Sequence, residues 1–411
     1  MAQQDSENLV MIYSIRKFCS PLTFFIFALL LFFLNVKDSF SQIKKDYPPR
    51  WKKGYLDFHQ ISTGMGNSCF VQFPDGTNML IDAGAINRDY LRKYPPVALF
   101  DSAQSAGSYI ADYIRKCIPS NLPFQLDNVI ITHFHDDHVG YPDTQSSWSE
   151  GGLYRLSGIT DVGSSIPIKL ILDNKWPFYE PSNPISENII RNYQLFLLEQ
   201  QKKADFRIDS FRLGNLNEVL NFRSNRIKSE VALTGNAVRG KYLKSDGSIE
   251  DFLKDCSSLN PVVQENNQSC ALTIWYGRHS FFSAGDIDNQ AYDSVKSVGF
   301  AEEISKNTGR ISFYVAGHHA MKGAISNQII ESITPDYFIV PAWSFGHPDL
   351  EIVEFFLKNH PTIKLLSTQL HPTTRNDLTN AGLSDQLMTG GHIMIRIKRN
   401  KKTPRLFFIK P

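Results

Sequence analysis

The chain has 411 residues, and its 42% hydrophobic content is normal for a globular protein with a real core, so one large domain or two ordinary ones are expected. Forty-three lysines and arginines nearly balance 41 aspartates and glutamates, which excludes a global positive field of the kind that marks nucleic-acid binding and leaves only local patches open.

In chain order, Arg16 and Lys17 precede an apolar run over residues 20–36, a little short of the roughly 20 residues that span a bilayer. Small residues follow at "SFSQ", 39–42, where a cleavage site would sit. Residues 1–41 are therefore expected to be an export signal cut after Ser41, with an uncleaved membrane anchor as the alternative. Either way residues 42–411 are expected outside the cytoplasm, periplasmic or secreted. Cys69, Cys117, Cys256 and Cys270 remain, with no C-x-x-C spacing, and read as buried free thiols more than as a stapled scaffold.

Two strand-like runs, "YLDFHQIS" and "CFVQFPDGTNMLIDAG", come next, the second broken by a hairpin turn at 74–77. Residues 105–118 have apolar spacing that predicts an amphipathic helix. "LDNVII" reads as a buried strand that delivers "THFHDDHVG". Residues 141–268 read as an elaboration within one domain, with a strand at "PIKLILD", a helix capped by Ser186, and "LTGNAVRG" as strand or turn. "CALTIWYGRHSFFSAGDID" predicts two strands around Gly277, ending in Asp286. Two further strands end in His318 and His319 and in His347, and a hairpin with a basic turn closes the chain. Strand after strand thus ends in a polar cluster, as a site built along one edge of an α/β or αββα sandwich requires.

Zinc and similar divalent metals take imidazole nitrogen and carboxylate oxygen, and a catalytic site keeps one position open for water. His133 and His135 alternate by two, so both side chains can leave an extended strand end in one direction. Asp137 and His138 follow in the turn and can serve a second position, so one loop can feed two metals. Isolated histidines such as His59, His279 and His360 are expected to be ordinary core or surface residues.

"THFHDDHVG" resembles the signature of the metallo-β-lactamase superfamily. The segments "DFHQISTGMGNSCFVQFPDGTNMLIDAG", "NNQSCALTIWYGRHSFFSAGDID", "VAGHHA", "FGHP" and "TGGHIMIRI" follow in the order of the extracellular hydrolase domain of ComEC-type competence proteins. The resemblance implies a four-layer αββα sandwich with a metal pair at one edge. It implies His133 and His135 at the first metal, Asp137 and His138 at the second, and Asp286 bridging both. Either His318 or His319 would complete the second site, the other touching substrate or leaving group. Asp82 is expected to support ligands by hydrogen bonds. The chain departs from the pattern in one place: "ENNQSC" stands where a further first-site histidine is usual, which leaves the first site weaker and suited to manganese as well as zinc.

A metal lowers the pKa of its bound water from near 16 to about 7, and a pair can clamp both oxygens of a displacement at phosphorus. Asp137 is then chiefly a ligand and secondarily a proton acceptor. The resemblance favours a phosphodiesterase or nuclease acting on a small-molecule or nucleic-acid phosphodiester. Rivals are a phosphoesterase for a small or cell-surface, phosphocholine-like substrate, another ester or lactam hydrolase, and a metal-binding module with impaired chemistry. His347 is a candidate to contact substrate; His371 and Arg375 rank below it. Lys322 and the basic turn, Lys398–Lys402 with Arg405, are phosphate-contact candidates, the turn reading more as a solvated hairpin tip, and the loop at 62–68 is a candidate wall of the site. No protein partner is expected, and a membrane only if the N-terminal segment is retained.

Overall fold

The computed structural model describes residues 43–93, 104–181, 184–255, 261–289 and 299–411, and Ile43–Pro411 forms one compact unit. The expected export segment and Cys256 lie outside the described residues. Among the described residues no helix is long and apolar enough to cross a membrane.

The strands, in chain order, are β1 (Ile43–Lys45), β2 (Tyr55–Gln60), β3 (Cys69–Gln72), β4 (Asn78–Ile81), β5 (Asn128–Ile131), β6 (Leu170–Asp173), β7 (Arg207–Ser210), β8 (Gly214–Asn215), β9 (Val231–Val238), β10 (Lys241–Leu243), β11 (Ile249–Asp251), β12 (Ala271–Tyr276), β13 (His279–Ser283), β14 (Phe313–Val315), β15 (Tyr337–Val340), β16 (Lys364–Ser367), β17 (Met388–Thr389), β18 (His392–Lys398) and β19 (Arg405–Ile409). One sheet has the order β1-β19-β18-β2-β3-β4-β5-β6-β7, the other β11-β10-β9-β12-β13-β14-β15-β16-β17, with β8 beside β9. Pairing is parallel from β4 to β7 and from β13 to β17, and antiparallel through β18, β2, β3 and β4 and through β11, β10, β9, β12 and β13. Residues 141–268 supply β6 and β7 to the first sheet and β8 to β11 to the second.

Each sheet is apolar on both faces, as a sheet covered on both sides must be. Helices Ala106–Cys117, Ile159–Ser165 and Pro184–Gln200 pack on the outer face of the first sheet against Phe70, Leu80, Val129 and Ile171. Helices Phe300–Thr308, Asn327–Ile333, Leu350–Asn359 and Pro372–Asn380 cover the second sheet over Phe282, Tyr314 and Phe338. Successive strand residues point to opposite faces. Phe282 therefore faces helices while Phe281 faces the other sheet, where its ring stacks on Phe58 at 4.5 Å and on Phe313 at 4.5 Å. The result is the αββα sandwich that the sequence led us to expect.

Local chemistry sets the element ends. Ser105 caps the Ala106–Cys117 helix by accepting from the Ser108 amide at 3.1 Å. The β3–β4 turn closes through Phe73 N to Thr77 O at 2.8 Å, with Gly76 at φ +87°. One expectation is corrected: Ser186 lies inside its helix, which begins at Pro184, where a fixed φ and a missing amide hydrogen suit the first helical position. Cys69, Cys117 and Cys270 are buried free thiols.

His59 and His392 are buried beneath the Ala106–Cys117 helix. Tyr113 Oη lies 3.0 Å from His59 Nδ1, whose Nε2 has no partner, and His392 Nδ1 accepts from the Ser62 amide at 3.0 Å. Burial pushes both imidazoles down to about 3. Both are neutral in the fold, whereas the unfolded chain binds their protons below pH 6.5, so their contribution is complete above that pH. Stability is expected to fall by up to about 1.4 kcal/mol per pH unit for each histidine between 6.5 and 3. Urea unfolding at pH 7 and 4.5 measures the slope, which His392→Gln is expected to reduce.

A candidate metal centre at one edge of the sandwich

The carboxyl ends of β4, β5, β13 and β14 meet at one edge and carry every acidic or imidazole group of the cluster. Asp82, one residue beyond β4, is buried at φ 60°. Its carboxylate accepts from the Thr132 amide (2.8 Å), the Thr132 hydroxyl (2.8 Å), Asn67 Nδ2 (3.2 Å) and His138 Nδ1 (2.7 Å). Holding Nδ1–H fixes the tautomer and turns the His138 Nε2 lone pair away from Asp82. That Nε2 is buried without a hydrogen-bond partner, 3.1 Å from Asp286 Oδ1 and 3.6 Å from Asp137 Oδ2.

His319 Nε2 closes the group, 3.0 Å from Asp137 Oδ2 and 3.5 Å from Asp286 Oδ2, with its Nδ1 donating to the Pro341 carbonyl at 3.0 Å. One ligand atom each from Asp137, His138, Asp286 and His319 lie within 4.8 Å of one another. His133 Nε2 stands 3.9 Å from Asp286 Oδ2 and 3.2 Å from His135 Nδ1. Asp286 thus lies between the His138–His319 side and the His133–His135 side.

The structure separates the two adjacent histidines. His318, His319 and Ala320 have φ of 45°, 53° and 59°, a left-handed run that costs roughly 1–2 kcal/mol per residue. The backbone twist throws the rings apart, to 6.4 Å between centroids. His318 leaves the four-residue group: its Nδ1 donates to Asp288 Oδ2 at 2.7 Å and its Nε2 faces Asn266 Nδ2 at 3.4 Å. His347 is 3% exposed and stacks on the His319 ring at 4.7 Å, so it supports His319 from behind.

The "ENNQSC" segment lies against this cluster. Asn266 ends the short helix Pro261–Asn266, and its Oδ1 is buried without a partner. Asn267 Oδ1 accepts the Asp288 amide and Ser269 Oγ the Asp286 amide, both at 3.2 Å, which holds the Asp286 turn. Glu265 accepts the Phe134 amide at 2.9 Å and the Lys175 ammonium at 3.0 Å, bracing the His133–His135 loop from beneath. Sequence reasoning did not find Glu265, Lys175 or Asp288. The D-x-D spacing of Asp286 and Asp288 was the available signal for the last.

Electrostatics suit a cation. Burial raises the Asp137 and Asp286 carboxyls, but His138 and His319 outweigh it and hold both below the ordinary range. Burial lowers His138 and His319, yet the surrounding carboxylates lift His138 well above its usual value and His319 to about 9. His133 is pushed down by burial and by its neighbours His138 and His135. The donor set, two carboxylates with imidazoles and the buried His138 Nε2 aimed between them, fits a divalent metal.

Gly66 and Gly84 set the position of Asp137. Asn67 N donates to Asp137 O at 2.7 Å, and a Cβ on Gly84 or Gly66 would stand 1.9 or 2.4 Å from that oxygen. The loop at 62–68 therefore supports the ligand loop. Gly84→Ala is expected to displace Asp137 and lower bound metal and turnover about tenfold or more, with far-ultraviolet circular dichroism unchanged; metal analysis of the purified variant checks it.

Other candidates lie elsewhere. Lys322 is exposed and pairs with Glu351 at 2.7 Å. His371 caps the helix Pro372–Asn380 by accepting the Thr373 amide at 3.2 Å, and Arg375 lies on that helix. His279 Nε2 meets the Lys401 carbonyl at 2.8 Å, and His360 Nε2 lies 3.1 Å from Asn327 Oδ1. The basic turn is at the far end of the sandwich: Lys398 pairs in register with Tyr55, where β2 begins, whereas Gln60, where β2 ends, leads into the loop beneath Asp137. The register therefore sets the basic turn apart from the metal cluster.

No family model matches the sequence, and none of the curated proteins matches it. Solved structures of similar fold include the diiron β-hydroxylase CmlA of Streptomyces venezuelae, at 11% identity and TM-score 0.38, covering 84% of this chain and 55% of CmlA. The chain thus spans about half the length of that protein. The metallo-β-lactamase fold protein YhfI of Bacillus subtilis is 11% identical over 84% of this chain and 100% of its own, with TM-score 0.34. Zn²⁺-bound PqqB of Methylobacterium extorquens is 9% identical over 82% and 97%, with TM-score 0.35.

Proposed function

We propose that the chain is an exported metal-dependent hydrolase of the metallo-β-lactamase type, acting on a phosphodiester. The observation that carries the reading is His138: Asp82 fixes one ring nitrogen, and the other is buried and faces two carboxylates, 3.1 Å from Asp286 and 3.6 Å from Asp137. Asp137, His138, Asp286 and His319 would hold a divalent ion, zinc first and manganese second, with His133 and His135 offering nitrogen beside it. Such an ion supplies an activated water and Lewis acidity at neutral pH. The protein's part is orientation: Asp82 aims His138, the Pro341 carbonyl aims His319, and Asp288 aims His318. His318, with 19% of its side chain exposed, faces incoming substrate. Export rests on residues 1–41, and the phosphodiester on the resemblance of the motifs.

A narrower phosphocholine-type substrate has one observation in its favour. Tyr90 and Trp343 pack edge to face at 5.8 Å, with Trp343 5.8 Å from the His319 ring, an aromatic wall of the kind that attracts quaternary ammonium groups.

Hydrolysis of bis-p-nitrophenyl phosphate and of p-nitrophenylphosphorylcholine by the full chain, chelated and then given zinc or manganese, tests both, with His135→Ala in parallel. Metal-restored turnover that the variant lacks supports a phosphoesterase, and the preferred probe tells which kind. Equal rates in both proteins would sink the enzyme reading. Bound metal with no turnover on either probe would exclude the phosphodiester and move the substrate to a carbon ester or lactam.

A further inference from the structure

At the end of the sandwich away from the metal cluster lies a cavity of about 570 Å³. It is bounded by Gly54 before β2, the β3–β4 turn, Tyr276 at the β12–β13 turn, the helix Asn225–Glu230 and the basic β18–β19 turn. Five cationic side chains line it, Lys53, Arg223, Arg226, Lys398 and Arg399, against two carboxylates, Asp75 and Glu230.

The charges do not cancel. Arg223 is committed to Asp127, with Nη2 3.0 Å from Oδ2. Arg226 Nε at 2.8 Å and Arg399 Nη1 at 3.2 Å converge on the single carboxylate of Glu230. Lys398 lies over the Tyr55 ring at 5.5 Å, and among the described residues neither it nor Lys53 has a carboxylate in ion-pair range. Two positive charges are thus left over when Asp127 is counted. Asp75 Oδ1 accepts the Thr77 amide at 3.0 Å, but its Oδ2 is buried without a partner. A buried acceptor of that kind calls for a donor, and the surplus cations call for an anion.

We infer that this cavity binds a small phosphorylated ligand carrying hydroxyl groups, a sugar phosphate or nucleotide. The phosphate lies against Lys53, Lys398 and Arg399, and a hydroxyl donates to Asp75. The volume falls within the roughly 300–1,000 Å³ of small-molecule sites. The site is separate from the metal centre and independent of the hydrolase reading.

Calorimetric titration of the chelated full chain with ribose 5-phosphate, ATP, inorganic phosphate and ribose tests it. Ribose 5-phosphate or ATP is expected to bind more tightly than roughly 1 mM, with inorganic phosphate and ribose each about tenfold weaker or more. The Lys398→Ala/Arg399→Ala double variant is expected to weaken binding by about tenfold or more, and Asp286→Asn to leave it unchanged. Exposed Lys202→Ala, which does not line the cavity, controls for general surface charge. No binding by either phosphorylated sugar would overturn the inference. So would an equal loss in Lys202→Ala, loss in Asp286→Asn, or inorganic phosphate binding as tightly as the sugar phosphates.

Discussion

Asp286→Asn is expected to lose both bound metal and turnover. Its carboxylate is the point on which three imidazoles converge, at 3.1 Å from His138, 3.5 Å from His319 and 3.9 Å from His133. Asparagine keeps the shape and removes the charge, leaving one donor nitrogen facing histidines that need an acceptor. Outer partners of metal ligands already cost 10–100-fold when removed, so a loss of about a hundredfold or more in metal-restored hydrolysis is expected here. Metal analysis and rates on the same preparations check it; a variant that keeps one ion per chain and near-normal turnover would show that Asp286 is not a ligand. The sign at fixed pH is also set. His138 and His319 are lifted mainly by Asp286 and Asp137 against the pull of burial, so both take protons more weakly in the variant. In the wild-type protein, metal binding near pH 7 displaces protons from these rings, and affinity is expected to fall as pH drops.

Arg396→Ala is expected to cost about 3–5 kcal/mol of stability. Arg396 and Asp57 are cross-strand partners on β18 and β2, joined by two bonds at 2.7 and 2.6 Å, and both are buried. The same guanidinium donates to the Pro49 and Arg50 carbonyls at 3.1 and 2.9 Å, tying the incoming chain to the sheet. Burial already lifts the Asp57 carboxyl despite its partner. Without Arg396 the carboxylate is left buried and unpaired, whereas Asp57→Asn with Arg396→Met removes both charges and is expected to be the milder change. Denaturant unfolding of single and double variants measures this; a single variant within about 1 kcal/mol of wild type would mean the pair contributes little.

The first sheet and the His133–His138 loop were legible because their signals are local. Alternation in "YLDFHQ", the Pro74–Thr77 turn and the histidine spacing each act over a few neighbouring residues. The helices of the second half were not. Asn327–Ile333 is only seven residues, too short to show a 3.6-residue period, and Pro372–Asn380 buries only Thr374 and Leu378. The choice between His318 and His319 depends on three left-handed residues, a conformation that tertiary contacts impose and that histidine and alanine do not announce. Glu265 and Lys175 were hidden for the same reason: their meaning comes from residues more than 80 positions away.

The cluster draws its members from both sheets: Asp137 and His138 follow β5, whereas Asp286 and His319 follow β13 and β14. It is therefore a clasp across the seam between two half-molecules. A relative slip of one strand residue, about 3.3 Å, would open distances that now lie within 4.8 Å. Whatever occupies the clasp favours the closed seam in proportion to its affinity, so the centre acts as a fastener of the sandwich as well as a place for chemistry.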